Sequence, residues 1–381
     1  LYSRSQTEGQ RLLTCIPAML LCYWCFGYGA WLCLALMLAA GIIAHHQKLS
    51  ALLAAGILLL PATQYPATTW WSKPDLDREY VLSLDVEHYF GNIQKMRKHL
   101  ETDRQILWVT YYRNLYNATH PSEINSPVSL SRNLLAWNQP GTNGLILPVN
   151  PSASFLSILF ANELWFTLGD MTMAEHCAML SMIFSPRNSG SRMIKRLAEI
   201  NLVNGDDEAA LKYLRILDKT LLHKSWAEKR IPGQQTPRVK EWLEKKRRDI
   251  PTQDHLRSGN DAVTSLRNLV ASNAGNLRAY EYLLCYHLLS KDLRSFVEDY
   301  VPGKVSSSIF AEALLIHLAR QGNIRAEELI KYQIPVKIAK EFADYTRLYE
   351  AKDTSLKEKY GKTYWFYYHF ATTEPGKESK P

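Results

Sequence analysis

A helix–turn–helix grammar stated twice, 36 residues apart, constrains this chain more than any other feature. The first statement runs from Phe155 to Asn188. Leu156, Leu159, Phe160, Leu164 and Trp165 recur at three- and four-residue steps, which is one face of a helix. Leu168-Gly169-Asp170 interrupts the pattern, because Gly accepts the left-handed conformation that ends a helix. A second helix carries Ala174, Ala178, Met182 and Ile183, and Pro186 stops it. The second statement runs from Ser191 to Leu222, with Leu197-Ala198 on its first helix, Asn204-Gly205-Asp206 as the turn and Ala210 on its second helix. Gly169 to Gly205 and Ala174 to Ala210 are both steps of 36.

This grammar resembles the tetratricopeptide repeat, whose period is about 34 residues. The resemblance places Ala174 and Ala210 where the family keeps a small residue for close helix approach. It places Trp165 at an aromatic position and Pro186 at the closing Pro. The second unit departs from it, with Asn201 at the aromatic position and no closing Pro. It implies an all-α solenoid of helical hairpins and names no partner.

The N-terminal end imposes a second constraint. From Leu12 to Ala44 there is no Asp, Glu, Lys or Arg over 33 residues. One helix of that length would be roughly 50 Å, against a hydrocarbon core of about 30 Å. Two spans are therefore expected, at 12–27 and 29–45, turning at Gly27-Tyr28-Gly29. A third apolar run, Leu49 to Leu60, extends to a span at about 49–63, with Tyr65, Trp70 and Trp71 in the far interface. The run is too long for a signal peptide. Arg4, Arg11 and Lys48 place the N-terminus and the second connection in the cytoplasm, so three spans carry the rest of the chain to the outer side. If the third run lies in the interface instead, the remainder is cytoplasmic. The expected fold class is all-α: transmembrane helices followed by a tetratricopeptide-like solenoid.

Net charge is +8, and residues 72–381 still hold 42 Lys and Arg against 36 Asp and Glu. This mild excess, without an aromatic-studded basic motif, argues against nucleic acid as a partner. The six Cys form no disulfide framework, since four lie in the apolar run and Cys177 and Cys285 stand far apart. Cys22-Tyr-Trp-Cys25 lacks a thioredoxin-like context and reads as packing in lipid. His45-His46 has no carboxylate or Cys beside it and reads as a loop rather than a metal site.

The sequence divides into a membrane region (1–71), degenerate hairpins and a loop (72–150), the two repeats (151–230), a basic helix with linkers (231–260), irregular helical repeats (261–350), and an aromatic segment with a disordered tail (351–381). Gly91-Asn92 separates two helices in the second division. Gln105 to Ala118 is an aromatic amphipathic helix, and its Trp108, Tyr112 and Tyr116 either pack against a neighbouring hairpin or offer a stacking platform for sugar. Ser131 to Trp137 is a short helix. Asn138 to Ser154 is the longest irregular insertion, a connector or a functional loop. Arg238 to Asp249 is a basic helix whose Lys245, Lys246, Arg247 and Arg248 form a solvated face or touch anionic headgroups. Lys291-Asp292 and Gly322-Asn323 repeat the turn chemistry. Tyr360 to Phe370 holds seven aromatic residues, expected to dock on the last repeat or lie in a headgroup layer.

The segments TYYRNLYNATH, PGTNGLILP, MIKRLAEINLVNGDDEAALKYLRILDKTL and TYWFYYHF resemble a family of polytopic bacterial membrane proteins of unknown function, found chiefly in Bacteroidetes-type bacteria. The resemblance implies more spans upstream of Leu1. It assigns no activity to any residue.

Two functions follow. The first is a scaffold at the bacterial inner membrane that binds a protein or peptide, with its soluble part periplasmic. The second is the C-terminal portion of a lipid-linked sugar transferase whose catalytic acids lie upstream. In that second reading Asp75, Asp77 and Glu79 would be the only paired acids at a membrane boundary, and they read more simply as first-turn residues of a helix. A transporter subunit is disfavoured, because the spans carry no ionisable residue of the kind that lines a substrate path. No catalytic, cofactor or metal motif is present. The candidate binding surface is Trp108, Tyr112, Tyr116, Trp165, Trp242, Lys245, Lys246, Arg247 and Arg248, and the expected partners are the lipid bilayer and a polypeptide.

Overall fold

A computed structural model describes residues 76–101, 106–119, 142, 144–147, 149, 155–185, 190–252, 261–322 and 324–371. The spans expected at 12–27, 29–45 and 49–63 lie outside these residues, as do Cys22, Cys25, His45, His46, the helix expected at 131–137 and the tail from Thr372. Among the described residues every regular element is a helix, and none is long and apolar enough to cross a membrane. The chain divides into two compact units, Leu1–Tyr80 and Val81–Pro381. Only the first five residues of the first helix belong to the former.

Helix α1 (Leu76–Tyr89) carries Asp77 and Glu79 in its first turn, where carboxylates favour the positive end of the dipole. It is followed by α2 (Ile93–Leu100) and α3 (Leu107–Thr119). The two repeats form α4 (Phe155–Leu168) with α5 (Met171–Phe184) and α6 (Ser191–Asn204) with α7 (Asp207–Asp218). A short α8 (Lys224–Glu228) leads to the basic helix α9 (Pro237–Arg247). The second half comprises α10 (Ala262–Ser272), α11 (Leu277–Leu289), α12 (Leu293–Asp299) and α13 (Ser308–Arg320). It ends with α14 (Ala326–Lys331), α15 (Val336–Glu350), α16 (Leu356–Tyr360) and α17 (Tyr364–Phe370). Most helices pack on near neighbours in the chain, α3 on α4, α4 on α5, α5 on α6 and α6 on α7, as in helical-repeat architectures.

One turn geometry recurs six times among the described residues. A residue in the left-handed conformation is followed by one whose N–H donates to the carbonyl five residues back, which satisfies a carbonyl orphaned at the helix end. Asn92 donates to Glu87, Asp170 to Trp165, Asp206 to Asn201, Asp292 to His287, Ile334 to Leu329 and Asp353 to Leu348, all at 2.8–3.0 Å. The left-handed residues are Gly91, Gly169, Gly205, Lys291, Gln333 and Lys352. In three turns the next residue also opens the following helix. Asp170 accepts from the Met173 N–H, Asp206 from Ala209 and Asp292 from Ser295. One residue thus closes a helix and caps the next, which makes a tight hairpin.

Gly169 answers to two demands. Its φ is +93°, and a Cβ there would lie 2.3 Å from the Asp249 carbonyl oxygen. Gly205 needs only the conformation, as open space surrounds it. Ala174 and Ala210 are fully buried, as the 36-residue step expects. Asn162 reaches across from α4 to donate to the Ala174 carbonyl at 2.5 Å. Ala178, Met193 and Leu197 form one apolar core with Leu159, Met182 and Tyr213. Ala198, Leu214, Leu217 and Ala227 form the next with Ile194 and Trp226. Each fully buried Leu in them contributes about 1.5–3 kcal/mol.

Two stretches the sequence reading left open take definite places. The insertion at 138–154 sends Leu145, Leu147 and Val149 into the core, where Tyr282 donates to the Leu145 carbonyl at 2.6 Å and Asn114 to the Gly144 carbonyl at 2.8 Å. Its apolar side chains supply the burial, and buried polar groups claim its backbone carbonyls. The aromatic segment docks on the preceding helices. The Tyr364 N–H donates to Glu312 at 2.6 Å, Trp365 Nε1 to the Glu312 carbonyl at 2.9 Å, and the Tyr364 and Tyr367 hydroxyls to the Leu288 and Leu289 carbonyls.

Candidate functional site

Helix α4 is largely apolar and carries a single charged residue, Glu163. It is buried, and an unpaired buried charge would be costly. Helix α6 supplies the partners. Arg192, Lys195, Arg196 and Glu199 recur at three- and four-residue steps and form one stripe of this helix. Arg192 donates to Glu163 at 2.9 Å and Arg196 donates at 2.5 Å. Arg192 also forks onto Asp85 of α1, at 2.6 and 2.8 Å. The Tyr112 hydroxyl of α3 donates to the same carboxylate at 2.6 Å. Arg196 uses its remaining end on Glu199 at 2.9 Å. His88 Nε2 lies 3.4 Å from Glu163. Four helices are thereby joined through three carboxylates and two guanidiniums.

Burial alone would push the Glu163 carboxyl up. Arg196, the His88 hydrogen bond and Arg192 outweigh it and hold the group well below the carboxylate range. Glu163 is therefore ionised at neutral pH and saturated with donors. That makes it an anchor rather than a proton-transfer group.

The outer side of this cage is basic and aromatic. Lys195 Nζ lies 4.5 Å from the Tyr89 ring centroid and 5.2 Å from that of Trp226. Arg230 stacks on Trp226 at 4.1 Å. Arg196 and Lys246 both lie over Phe166, at 3.9 and 4.5 Å, and Phe166 stacks on Trp242 at 6.3 Å. Such contacts are worth about 0.5–2 kcal/mol each. Burial, with the nearby guanidiniums of Arg196 and Arg278, pulls the Lys246 ammonium down to about 8. Burial lowers Lys195 as well, aided by Arg196 and Arg230. Arg230 is lowered by burial and by Arg238.

The nine residues of the sequence-based surface fall in different places. Tyr112, Tyr116 and Trp165 are buried in the core and line no surface, a correction to that reading. Helix α3 is buried on nearly every side, so its aromatic rings pack, with Tyr112 against Phe160 and Tyr111. Trp108 is half-buried and meets Phe160 edge-on at 5.2 Å. The four basic residues of α9 do not act as one face. Arg247 donates to the Leu202 and Val203 carbonyls, and Lys246 to the Phe166 carbonyl, so both neutralise helix C-terminal ends. Lys245 and Arg248 point to solvent. Only Trp242 and Lys246 join the α6 site. Asp85, His88, Tyr89, Glu163, Arg192, Lys195, Arg196, Glu199, Trp226 and Arg230 were not singled out from sequence. The lone carboxylate in FLSILFANELWFTL is the sequence signal that could have led to them.

Among the described residues no group of three or more His, Cys, Asp or Glu side chains is placed to hold a metal ion. Cys177 and Cys285 are buried and form no disulfide. The arrangement suits recognition of negative charge by cations held against rings.

The chain belongs to the family described as "Family of unknown function (DUF6057)", whose model matches residues 49–371. The matched stretch takes in the apolar run at 49–60 together with the helical region. No curated protein and no solved structure matches the chain.

Proposed function

We propose that the chain is a membrane-anchored, tetratricopeptide-like scaffold that binds a protein or peptide at the bacterial inner membrane through the α6 face. One observation carries this reading. The stripe Arg192, Lys195, Arg196 and Glu199 faces away from the apolar cores of its own hairpin, yet rings from α1, α4 and α8 hold its cations in place, and Trp242 of α9 backs the α4 ring. Ordered side chains outside a core are what a recognition surface requires. The uncharged run from Leu12 to Ala44 supports the anchor. The sugar-transferase reading draws no support from the described residues.

The test is site-specific photo-crosslinking in cells that make the full chain. A photoreactive residue replaces Trp226 or Trp242, and Ile330, an exposed residue of α14, is the control. A discrete crosslinked partner at both tryptophan positions and none at Ile330 is the expected result. Equal labelling at all three, or none, rejects the scaffold reading. Reporter fusions after Trp71 and after Pro381 test the anchor, with outer-side signals expected.

A further inference from the structure

Positive charge on the α6 face exceeds what the fold itself uses. Arg192 and Arg196 are paired, and between them they engage Asp85, Glu163 and Glu199. Arg278 has its own partner in Asp249 at 3.4 Å. Lys195, Arg230 and Lys246 remain, and among the described residues none forms an ion pair with a carboxylate. They are half-buried, where an uncompensated cation is costly. Their contacts are rings and two backbone carbonyls: Arg230 donates to Trp226 at 3.2 Å and Lys246 to Phe166 at 3.4 Å. The Arg230 Nε is buried with no acceptor at all. Among the described residues Glu199 is the carboxylate whose charge reaches all three cations, and it is already committed to Arg196.

We propose that Lys195, Arg230 and Lys246 form a binding site for an acidic polypeptide segment, whose carboxylates pair with them while its apolar side chains lie against Trp226 and Trp242. This rests on the scaffold reading and names the partner's chemistry. The cations occupy two stations backed by different rings, Tyr89 with Trp226 and Phe166 with Trp242. A chain alternating acidic and apolar residues matches two charged stations with aromatic surface at each. A compact phosphate brings charge but no apolar surface for the rings. A bilayer surface would engage outward cations such as Lys245 and Arg248 before recessed ones. The lowered Lys195, Arg230 and Lys246 values agree with sites that lack their anion.

The experiment uses the full chain in detergent and a labelled decapeptide of alternating Asp and Leu, followed by fluorescence anisotropy. Saturable binding is expected, weakened about tenfold by the double variant K195M/R230M and unchanged by K245M/R248M. Isotope-labelled reductive methylation, read by NMR, follows Lys246 directly. The peptide should raise its titration midpoint from about 8. Binding that ignores K195M/R230M, falls equally with K245M/R248M, or leaves Lys246 unmoved overturns the proposal. Inorganic phosphate or phosphatidylglycerol vesicles that displace the peptide at equal anion concentration overturn it in favour of a phosphate site. If the Trp226 crosslink persists in K195M/R230M, the scaffold stands and the acidic partner falls. If no crosslink forms in the unmodified chain, the scaffold reading itself is at fault.

Discussion

The junction of α1, α4 and α6 and the junction of α13, α15 and α17 both fasten distant stretches of chain, by different means. The first uses charge: two guanidiniums set among Asp85, Glu163 and Glu199. The second uses rings. Trp365 lies 5.3 Å from Phe342 and 5.5 Å from Tyr345, and Tyr345 meets Tyr360 edge-on at 5.6 Å. The aromatic junction draws its cohesion mainly from ring packing, with Glu312 and His369 as titratable members at its edge. The ionic one depends on the charge state of a buried carboxylate. Recognition is assigned to the side of the molecule whose cohesion is electrostatic, where a partner's charge can add to a network already present.

The sharpest way to break this contrast is Glu163→Ala. It strands Arg192 and Arg196 and should cost about 3–5 kcal/mol in urea unfolding at neutral pH. Glu163→Gln keeps an acceptor oxygen and should cost less. Trp365→Ala should cost about 3–5 kcal/mol through the cavity it leaves. Its penalty should stay level across the acid range, whereas that of E163A should shrink there.

The acid limb itself is the next test. The folded Glu163 value lies below the ordinary 4.5. Its stabilisation is therefore complete above about 4.5 and is lost as pH falls through the folded value. Amide exchange should accelerate in α1, α4 and α6 before α13, α15 and α17. Simultaneous loss would show that one network does not govern its own region.

A smaller effect of opposite sign belongs to Lys246. Its folded value of about 8 lies below the ordinary 10.5. The unfolded chain holds more protons between those values, so stability should rise with pH from about 8 to about 10.5 and level off above. Lys246→Met should flatten that rise and lift the thermal midpoint at pH 7 by about 2 °C. The smallest net change is expected from Lys291→Gly. It relieves a left-handed conformation costing about 1 kcal/mol but removes the bond from Lys291 Nζ to the Ala371 carbonyl. Global stability should move by less than about 0.5 kcal/mol, while exchange quickens in α17.

The turn chemistry was legible wherever its residues announce it. Gly169-Asp170 and Gly205-Asp206 carry both the glycine and the cap, and Lys291-Asp292 carries the cap without a glycine. The turns at Gln333 and Lys352 have the same hydrogen bond with neither signal, because tertiary packing there overrides intrinsic preference. The aromatic residues of α3 misled for a related reason. Periodicity shows that a helix has an apolar face, but not that its other sides are covered too. The charge network went unread, although one of its members is visible as the single charged residue of α4. Glu163 had to be paired, but its partners lie 29 and 33 residues along the chain, and Arg192 and Asp85 are 107 apart. No local pattern encodes such distances.

The C-terminal end of α4 has a consequence for how the protein is made. Its last carbonyls are claimed by residues that come much later: Leu168 by Asn276, and Thr167 by Arg278, 111 residues downstream. Gly169 is pressed at the same place by the Asp249 backbone. At elongation rates of about 5–20 residues per second, those residues follow α4 out of the ribosome on the order of ten seconds later. The first repeat thus spends its early life with an open end. Slowing translation between Leu168 and Arg278 would lengthen that interval without altering a single residue of the finished chain.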